Sequence, residues 1–514
     1  MDKNFFLSNI LKKSIALLRV EEMRRAEGLA LAEGTSSERL MSAAGEAVFR
    51  EILSRWSLRQ VTVLCGPGNN GGDGFVVAQL LAAAGWPVRL GLWGDRAQLT
   101  AEAACQAQLW TGPIEPLSPQ LVTGAELIVD AVFGIGLNRR IDNELAGIFV
   151  LILPQIPVIA VDIPSGVGGD DGLVPGAGGN LAEILMLGLS IKADVTVTFC
   201  RAKPGHYLWP GSALAGEVVV ADIGISDDII QKIGPKIAVN HPALWQGELP
   251  QLLENTHKYQ RGYAVINAGA TLTGAARLAA RAAMRMGAGI VAVASPPEAV
   301  SLYSLALETA VIKPVVTTDD FAKIIGDKRV GAILVGPGNG VSLGTQDRCL
   351  AALGTGRPVI IDADGITALS NDEKLFNNSN LNNILITPHE GEFARLFGPI
   401  PEAKGSKLAR ARLAARQSGA IVLLKGPDTV VAHPDGRTVI NANGLPDLAT
   451  AGTGDVLAGT ILGLAAQGMP LFSAACAAIF LQGDAARIYG PGLIASDLPD
   501  LLPQALKNIS FTIN

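Results

Sequence analysis

The sequence predicts two α/β domains in tandem, each a parallel sheet covered by helices. Three observations carry this. Short apolar, strand-like runs alternate with Ala/Leu-rich helical ones along the chain, the pattern of strands joined by crossover helices. Glycine is in excess, 59 of 514 residues, against roughly 7% in an average chain and with no collagen-like period. Tight strand-to-helix turns need that excess. The alternation also breaks once, between about Ile225 and Glu254, where Asp-Asp, Gly-Pro, His-Pro and Leu-Pro cluster.

Element by element, Val61–Cys65 reads as a strand, followed by a glycine loop and a helix over Phe75–Gly85. Strands follow at Val88–Trp93, Leu127–Val132, Val158–Asp162 and Asp194–Phe199. A first domain over 1–230, a linker over 231–254 and a second domain over 255–514 are expected. The second series opens at Tyr263–Ile266. It continues through Ala332–Val335, Val359–Asp362, Ile384–Thr387 and Ile421–Leu424 to a helix over Gly454–Gln467.

Composition excludes several classes. With 49% hydrophobic and 17% charged residues the chain is no disordered tail. A net charge of −6 without a basic run argues against a nucleic-acid partner. The most apolar stretch, Leu145–Val161, is broken by Pro154 and Pro157, so no membrane span is expected there. Five scattered cysteines (Cys65, Cys105, Cys200, Cys349, Cys476) without a CxxC suit a reducing compartment better than a disulfide framework. Met1–Leu18 lacks an apolar core with a small-residue cleavage site. A cytoplasmic protein is expected.

The glycine loop Cys65-Gly-Pro-Gly-Asn-Asn-Gly-Gly-Asp-Gly74 contains Gly66-x-Gly68-x-x-Gly71, with Asp95 after the next strand. A dinucleotide fingerprint therefore has to be weighed. Against it, Asp73 puts a carboxylate at the helix end where a pyrophosphate would dock. The alternative is a tight turn capped by Asp73. Asp130 and Asp162 end two further strands, leading into Phe133-Gly134-Ile-Gly136-Leu137 and Ile-Pro-Ser165-Gly166. With Asn70 they offer hard oxygen donors of the kind that suit an alkali or alkaline-earth cation.

GPGNNGGDG, VDAVFGIGL, VDIPSG and KPGHYLWPG together resemble the YjeF N-terminal domain, the NAD(P)H-hydrate epimerase family, over about Arg19–Ile225. The resemblance implies a Rossmann-like three-layer αβα fold. It implies hydrate contacts at Asn69, Asn70, Gly71, Gly72 and Asp73, and at Gly134, Ile135, Gly136, Leu137, Asn138, Arg139 and Arg140. It further implies a potassium ion held by Asn70, Asp130 and Ser165, and Asp162 as the acid/base group at C6. The chain reads FGIG where the family commonly has FGTG, so a hydroxyl contact at Ile135 is absent.

In the second domain, Asn443-Gly-Leu-Pro-Asp-Leu-Ala-Thr-Ala-Gly452-Thr-Gly454-Asp455 runs directly into a helix. Amides at its start make an anion hole, and Asp455 is placed to take a proton from a substrate hydroxyl. The alternative is a glycine turn capped by Asp455. Gly269–Gly274 has Walker A spacing without its lysine, which disfavours P-loop chemistry. Other segments suit a nucleotide site: Val335–Gly340, Ile361-Asp-Ala-Asp364, Thr387-Pro-His389-Glu-Gly-Glu392 and Lys425-Gly-Pro-Asp-Thr429.

This set resembles the ribokinase-like αβα fold, and within it the ADP/ATP-dependent NAD(P)H-hydrate dehydratases, over about Asn255–Leu506. The resemblance implies substrate contacts at Gly338, His389, Glu390, Gly391, Glu392, Phe393, Ala394 and Arg395, with Asp455 as general base. Adenine-nucleotide contacts are implied at Lys425, Gly426, Pro427, Asp428 and Thr429, and at Leu445, Thr450, Ala451, Gly452, Thr453 and Gly454. Mg²⁺ is expected with the nucleotide. The Asn267-Ala-Gly269 turn and Glu390 depart from the family's Gly-Gly-Ser and His-Pro-Gly-Glu.

The expectation is a bifunctional nicotinamide nucleotide repair enzyme. It would epimerise the hydrates NADHX and NADPHX and dehydrate the S form with ADP or ATP, as a homo-oligomer without nucleic-acid or membrane partners. The alternative is a ribokinase-like vitamin or sugar kinase carrying a non-catalytic YjeF-like module.

Overall fold

A computed structural model describes residue 6 and residues 15–252, 254, 256–370 and 383–511. The start of the chain read for a signal peptide therefore lies largely outside the described residues. Two compact units divide between Ala238 and Val239.

The N-terminal unit is built on a seven-stranded, all-parallel sheet. Its strands are β1 (Val61–Cys65), β2 (Val88–Leu92), β3 (Ile114–Pro116), β4 (Leu127–Ala131), β5 (Val158–Val161), β6 (Val195–Phe199) and β7 (Glu217–Ala221). They lie in the order β3-β2-β1-β4-β5-β6-β7, a doubly wound sheet whose order reverses at β1 and β4. That is where open α/β sheets collect ligands. β1, β4, β5 and β6 are buried along their whole length, as strands covered on both faces must be. Helices α1 (Val20–Ala32), α2 (Ser37–Arg55) and α3 (Asn69–Ala83) contribute Met23, Ala26, Val48, Ile52, Phe75 and Val77 to one core with β1, β4 and β5.

The C-terminal unit strings β8 (Tyr263–Asn267), β9 (Ile290–Ser295), β10 (Val311–Pro314), β11 (Val330–Val335), β12 (Val359–Ile361), β13 (Ile384–Ile386) and β14 (Ile421–Leu424) into a parallel sheet. An antiparallel extension of β15 (Val430–Ala432) and β16 (Thr438–Ile440) completes it. The order is β16-β15-β14-β13-β12-β11-β8-β9-β10. Helices α4 (Thr273–Arg285), α5 (Glu390–Phe397), α6 (Lys407–Ser418), α7 (Thr453–Ala466) and α8 (Leu471–Tyr489) cover it. α8 is long and apolar enough to cross a membrane, but 78% of its apolar window is buried, as in a core helix.

The stretch 231–254 contains the short strand Ile237–Val239 and two 3-10 turns, Pro242–Leu244 and Gln246–Glu248. Trp245 is fully buried, its indole N–H donating to Asn240 Oδ1 at 3.1 Å and its ring edge-on to Phe480. All five cysteines are free, four of them buried.

Candidate functional site

The first glycine loop is already helix. α3 starts at Asn69 with Gly68 as its N-cap, not at Phe75. The glycines are there for close packing. A methyl group at Gly66 would sit 1.9 Å from the Val132 carbonyl oxygen, at Gly71 1.9 Å from that of Gly66, and at Gly74 2.7 Å from Ala131 Cβ. Asp73 is therefore one turn inside the helix rather than its cap, and it lines a cavity. Asp95, weighed as a ribose acid, caps a 3-10 turn through the amide of Ala97.

Asp130 and Ser165 form a buried knot behind this loop. The Ser165 amide donates to Asp130 Oδ2 at 2.7 Å, its hydroxyl donates to Oδ1 at 2.6 Å, and the Phe133 amide donates to the hydroxyl at 2.8 Å. Burial pushes the Asp130 carboxyl up to about 6, against those hydrogen bonds. Asn70 touches the same 132–134 loop, its Oδ1 lying 3.2 Å from where a Gly134 methyl would stand, while its amide nitrogen is buried without a partner.

Asp162 lies just past β5 in a left-handed conformation, φ +63°. Its Oδ1 accepts from Lys203 Nζ at 2.7 Å and from Thr198 Oγ1 at 2.8 Å. Lys203 is 1% exposed. His206 ties the two backbones together. Its Nδ1 accepts from the Lys203 amide at 2.9 Å, so Nε2 carries the proton and donates to the Asp162 carbonyl at 2.7 Å. Burial and the neighbouring ammonium hold that imidazole neutral, its pKa lowered to about 4. Burial alone raises the Asp162 carboxyl. The charge and hydrogen bond of Lys203 more than reverse this and leave it below the ordinary carboxylate range.

Asp162, Lys203, Asp73 and Asn69 share a cavity of about 180 Å³, walled by Met23, Glu27 and Leu31 of α1 and Leu40, Met41 and Ala44 of α2. Asp73 has no cation of its own. Burial first, then the charges of Asp162 and Glu27, push its carboxyl well above the ordinary value. One cavity thus holds two aspartates whose proton affinities are driven in opposite directions, the kind of separation that sets a base apart from an acid. The Gly134–Arg140 loop does not line it, and Asn138, Arg139 and Arg140 are exposed.

In the C-terminal unit the close approach of Gly269 to the Gly338 carbonyl marks the reversal of strand order between β8 and β11. Just past the ends of β12 and β14, Lys425 Nζ lies 2.9 Å from Asp362 Oδ1, and it is 3.8 Å from Glu392. Burial lowers the Lys425 pKa, but the charges of Asp362 and Glu392 outweigh it and the ammonium is held protonated. Asp455, in the first turn of α7 after the left-handed Gly452 cap, has no such contact. Burial, reinforced by Asp362 and Asp364 and only partly opposed by Lys425, raises its carboxyl to about 7.

The other sequence-predicted residues fall into distinct settings. His389 caps α5, its Nδ1 accepting from the amides of Gly391 and Glu392. Glu390 pairs with Arg410, Arg395 donates to Thr367, and Phe393 is buried against Phe397. Asp428 pairs with buried Lys407 at 2.6 Å, and Thr429 closes the Gly426 turn. Thr453 Oγ1 donates to the carbonyls of Leu448 and Thr450, fixing the bend that presents the α7 amides. Lys203, Thr198, His206 and Glu27 were not singled out individually from sequence, and Asp362 only within the Ile361-Asp-Ala-Asp364 segment. For Lys203 and His206 the signal was the Lys203-Pro-Gly-His206 segment itself.

Comparison with known proteins agrees with both halves. Residues 37–205 match the family model for the YjeF-related protein N-terminus, and 264–507 match that for NAD(P)H-hydrate dehydratase. The chain is 33% identical over 497 residues to the bifunctional NAD(P)H-hydrate repair enzyme of Coxiella burnetii, covering 94% of this chain and 97% of that one. Its counterpart in Salinibacter ruber is 34% identical over 532 residues, covering 95% of each. Among solved structures, an ADP/ATP-dependent NAD(P)H-hydrate dehydratase of Bacillus subtilis is 28% identical over 53% of this chain and 98% of its own, with a TM-score of 0.46.

Proposed function

The chain belongs to the bifunctional NAD(P)H-hydrate repair enzymes, and from that premise we propose how its two units divide the work. The protein interconverts the R and S hydrates of NADH and NADPH and dehydrates the S form with ADP or ATP. We assign inversion to the N-terminal unit and dehydration to the C-terminal one. The observation that carries this division is the cavity shared by Asp73 and Asp162, in which Lys203 holds Asp162 at 2.7 Å while burial and like charge raise the Asp73 carboxyl.

Inverting C6 by exchange of its hydroxyl needs a proton given to the departing oxygen on one face of the ring. It also needs a proton taken from the arriving water on the other. Neutral Asp73 is the donor and ionised Asp162 the acceptor, with Lys203 fixing the latter's charge. Asn70, Asp130 and Ser165 would hold a potassium ion. A buried carboxylate without a cationic side chain and an unpartnered carboxamide fit that ion, because an amide flip turns the orphan position into an oxygen donor. The ion would neutralise the knot and brace the loops that shape the cavity.

In the C-terminal unit Asp455 takes the proton of the C6 hydroxyl as it attacks the terminal phosphorus of the nucleotide. The α7 amides would face the phosphate, and loss of phosphate from C6 together with a proton from C5, which leaves with the phosphate or to water, restores the dihydropyridine. Mg²⁺ would travel with the nucleotide phosphates and offset their charge. Among the described residues no group of three or more His, Cys, Asp or Glu side chains is placed to hold a metal, which suits an ion that keeps waters and phosphate oxygens as ligands.

The test is recovery of near-ultraviolet dihydronicotinamide absorbance from mixed hydrate epimers with ADP or ATP. Full recovery is expected. A stable phosphorylated product would instead point to a kinase.

A further inference from the structure

The N-terminal cavity is lined by two further carboxyls that neither half of the inversion uses, Glu27 and Glu102, and of the two it is Glu27 whose charge acts on Asp73. Glu27 sits on α1 four residues after Met23 and four before Leu31, so all three share one helix face, and all three line the cavity. Glu21, Glu22, Arg24 and Arg25 make the rest of the helix look like an ordinary solvated surface. Glu27 instead stands within electrostatic range of Asp162 and Lys203, as well as Arg24 on its own helix. It also adds its charge to the field at Asp73. Among the described residues no hydrogen bond reaches its carboxyl or that of Asp73, whereas Asp162 is pinned by Lys203 and Thr198.

Inversion by two groups leaves a problem of proton accounting. When the hydroxyl departs as water, Asp73 has lost its proton. When a second water adds to the opposite face, Asp162 has gained one. The ring is inverted and the enzyme carries its proton on the wrong aspartate, so the next molecule of the same epimer finds no acid and no base. A tethered lysine cannot accept the proton, because it is already an ammonium.

Resting on the epimerase reading of this cavity, we propose that Glu27 is its proton-return group, accepting the proton from Asp162 and delivering it to Asp73 between turnovers. No other reactant is consumed and the net charge of the cavity is unchanged. Burial and the charge of Asp162 hold the Glu27 carboxyl above its ordinary value, while Lys203 holds that of Asp162 below it, so the first transfer runs toward the stronger base.

The experiment uses the full chain and purified R hydrate without adenine nucleotide, so that only inversion proceeds, with the S hydrate followed by chiral chromatography. Glu27→Gln, which keeps the shape and removes the transferable proton, is expected to lower kcat roughly tenfold or more while KM changes less than about twofold. Glu27→Asp is expected to keep a substantial part of the rate, and formate is expected to restore turnover to Glu27→Ala. Wild-type kcat in Glu27→Gln overturns the proposal, as does a loss that neither Asp nor formate repairs. If the wild-type chain does not invert the R hydrate at all, the epimerase reading fails and the proposal with it.

Discussion

Each unit ends a pair of strands with a lysine bound to an aspartate, and each places a second aspartate nearby without a cation of its own. Lys203 holds Asp162 at 2.7 Å and Lys425 holds Asp362 at 2.9 Å. Asp73 and Asp455 are left to burial and like charge, which raise both. On the proposed assignment the units differ in which member is the base. In the N-terminal unit it is the anchored aspartate, kept ionised by a fully buried ammonium. In the C-terminal unit it is the unanchored one, balanced near neutrality. The position of the lysine, rather than the number of carboxylates, decides which acid is ready to accept a proton.

The largest effects should come from the two bases themselves. Asp162→Asn is expected to abolish R-to-S inversion and leave dehydration of the S form intact, and Asp455→Asn the reverse, each by about 10²–10⁴-fold in rate. Separate assays of the two epimers check this, and a variant that impairs both reactions equally would break the comparison.

Next in size is the anchor. Lys203→Met strands a buried carboxylate, which costs about 3–5 kcal/mol and is measurable by denaturant unfolding. The Lys425→Met loss should be smaller, because Lys425 is 21% exposed and Lys203 1%.

The pH dependence sharpens the contrast further. Asp455 must lose its proton to act, so dehydration should fall about tenfold for each pH unit below about 7. Inversion should hold its rate there, since Asp162 stays ionised well below neutrality. Lys425→Met removes the one charge lowering the Asp455 pKa and should move that limb to higher pH. The smallest effect belongs to Arg410→Ala. It frees Glu390 from an exposed pair worth less than about 1 kcal/mol, and thermal unfolding would reveal any larger loss.

The sheet was largely legible from sequence because buried parallel strands are uniform apolar runs between glycine turns, as at Val61–Cys65 and Ile421–Leu424. The edge strand Glu217–Ala221 and the short pair Val430–Ala432 and Thr438–Ile440 lacked that contrast. Asp73, Asp130, Asp162 and Asp455 were legible because each adjoins a glycine or proline turn. Their protonation was not, since it depends on charges that arrive from far along the chain. Lys203 is 41 residues from the carboxylate it binds. Glu27 is one acid among several on an amphipathic helix, and only the fold reveals which face it shares.

The glycines around the head of α3 set Asn69 and Asp73, which line the proposed epimerase cavity, on an unyielding support. With backbone set against backbone at Gly66 and Gly71, even one added carbon there collides, so that side has no room to adapt. Any broadening of substrate range, by selection or by an engineer, therefore has to come from the lining that α1 and α2 supply. There Leu31, 46% exposed, is the side chain that can be trimmed or enlarged with least disturbance, since Leu40 and Met41 are buried.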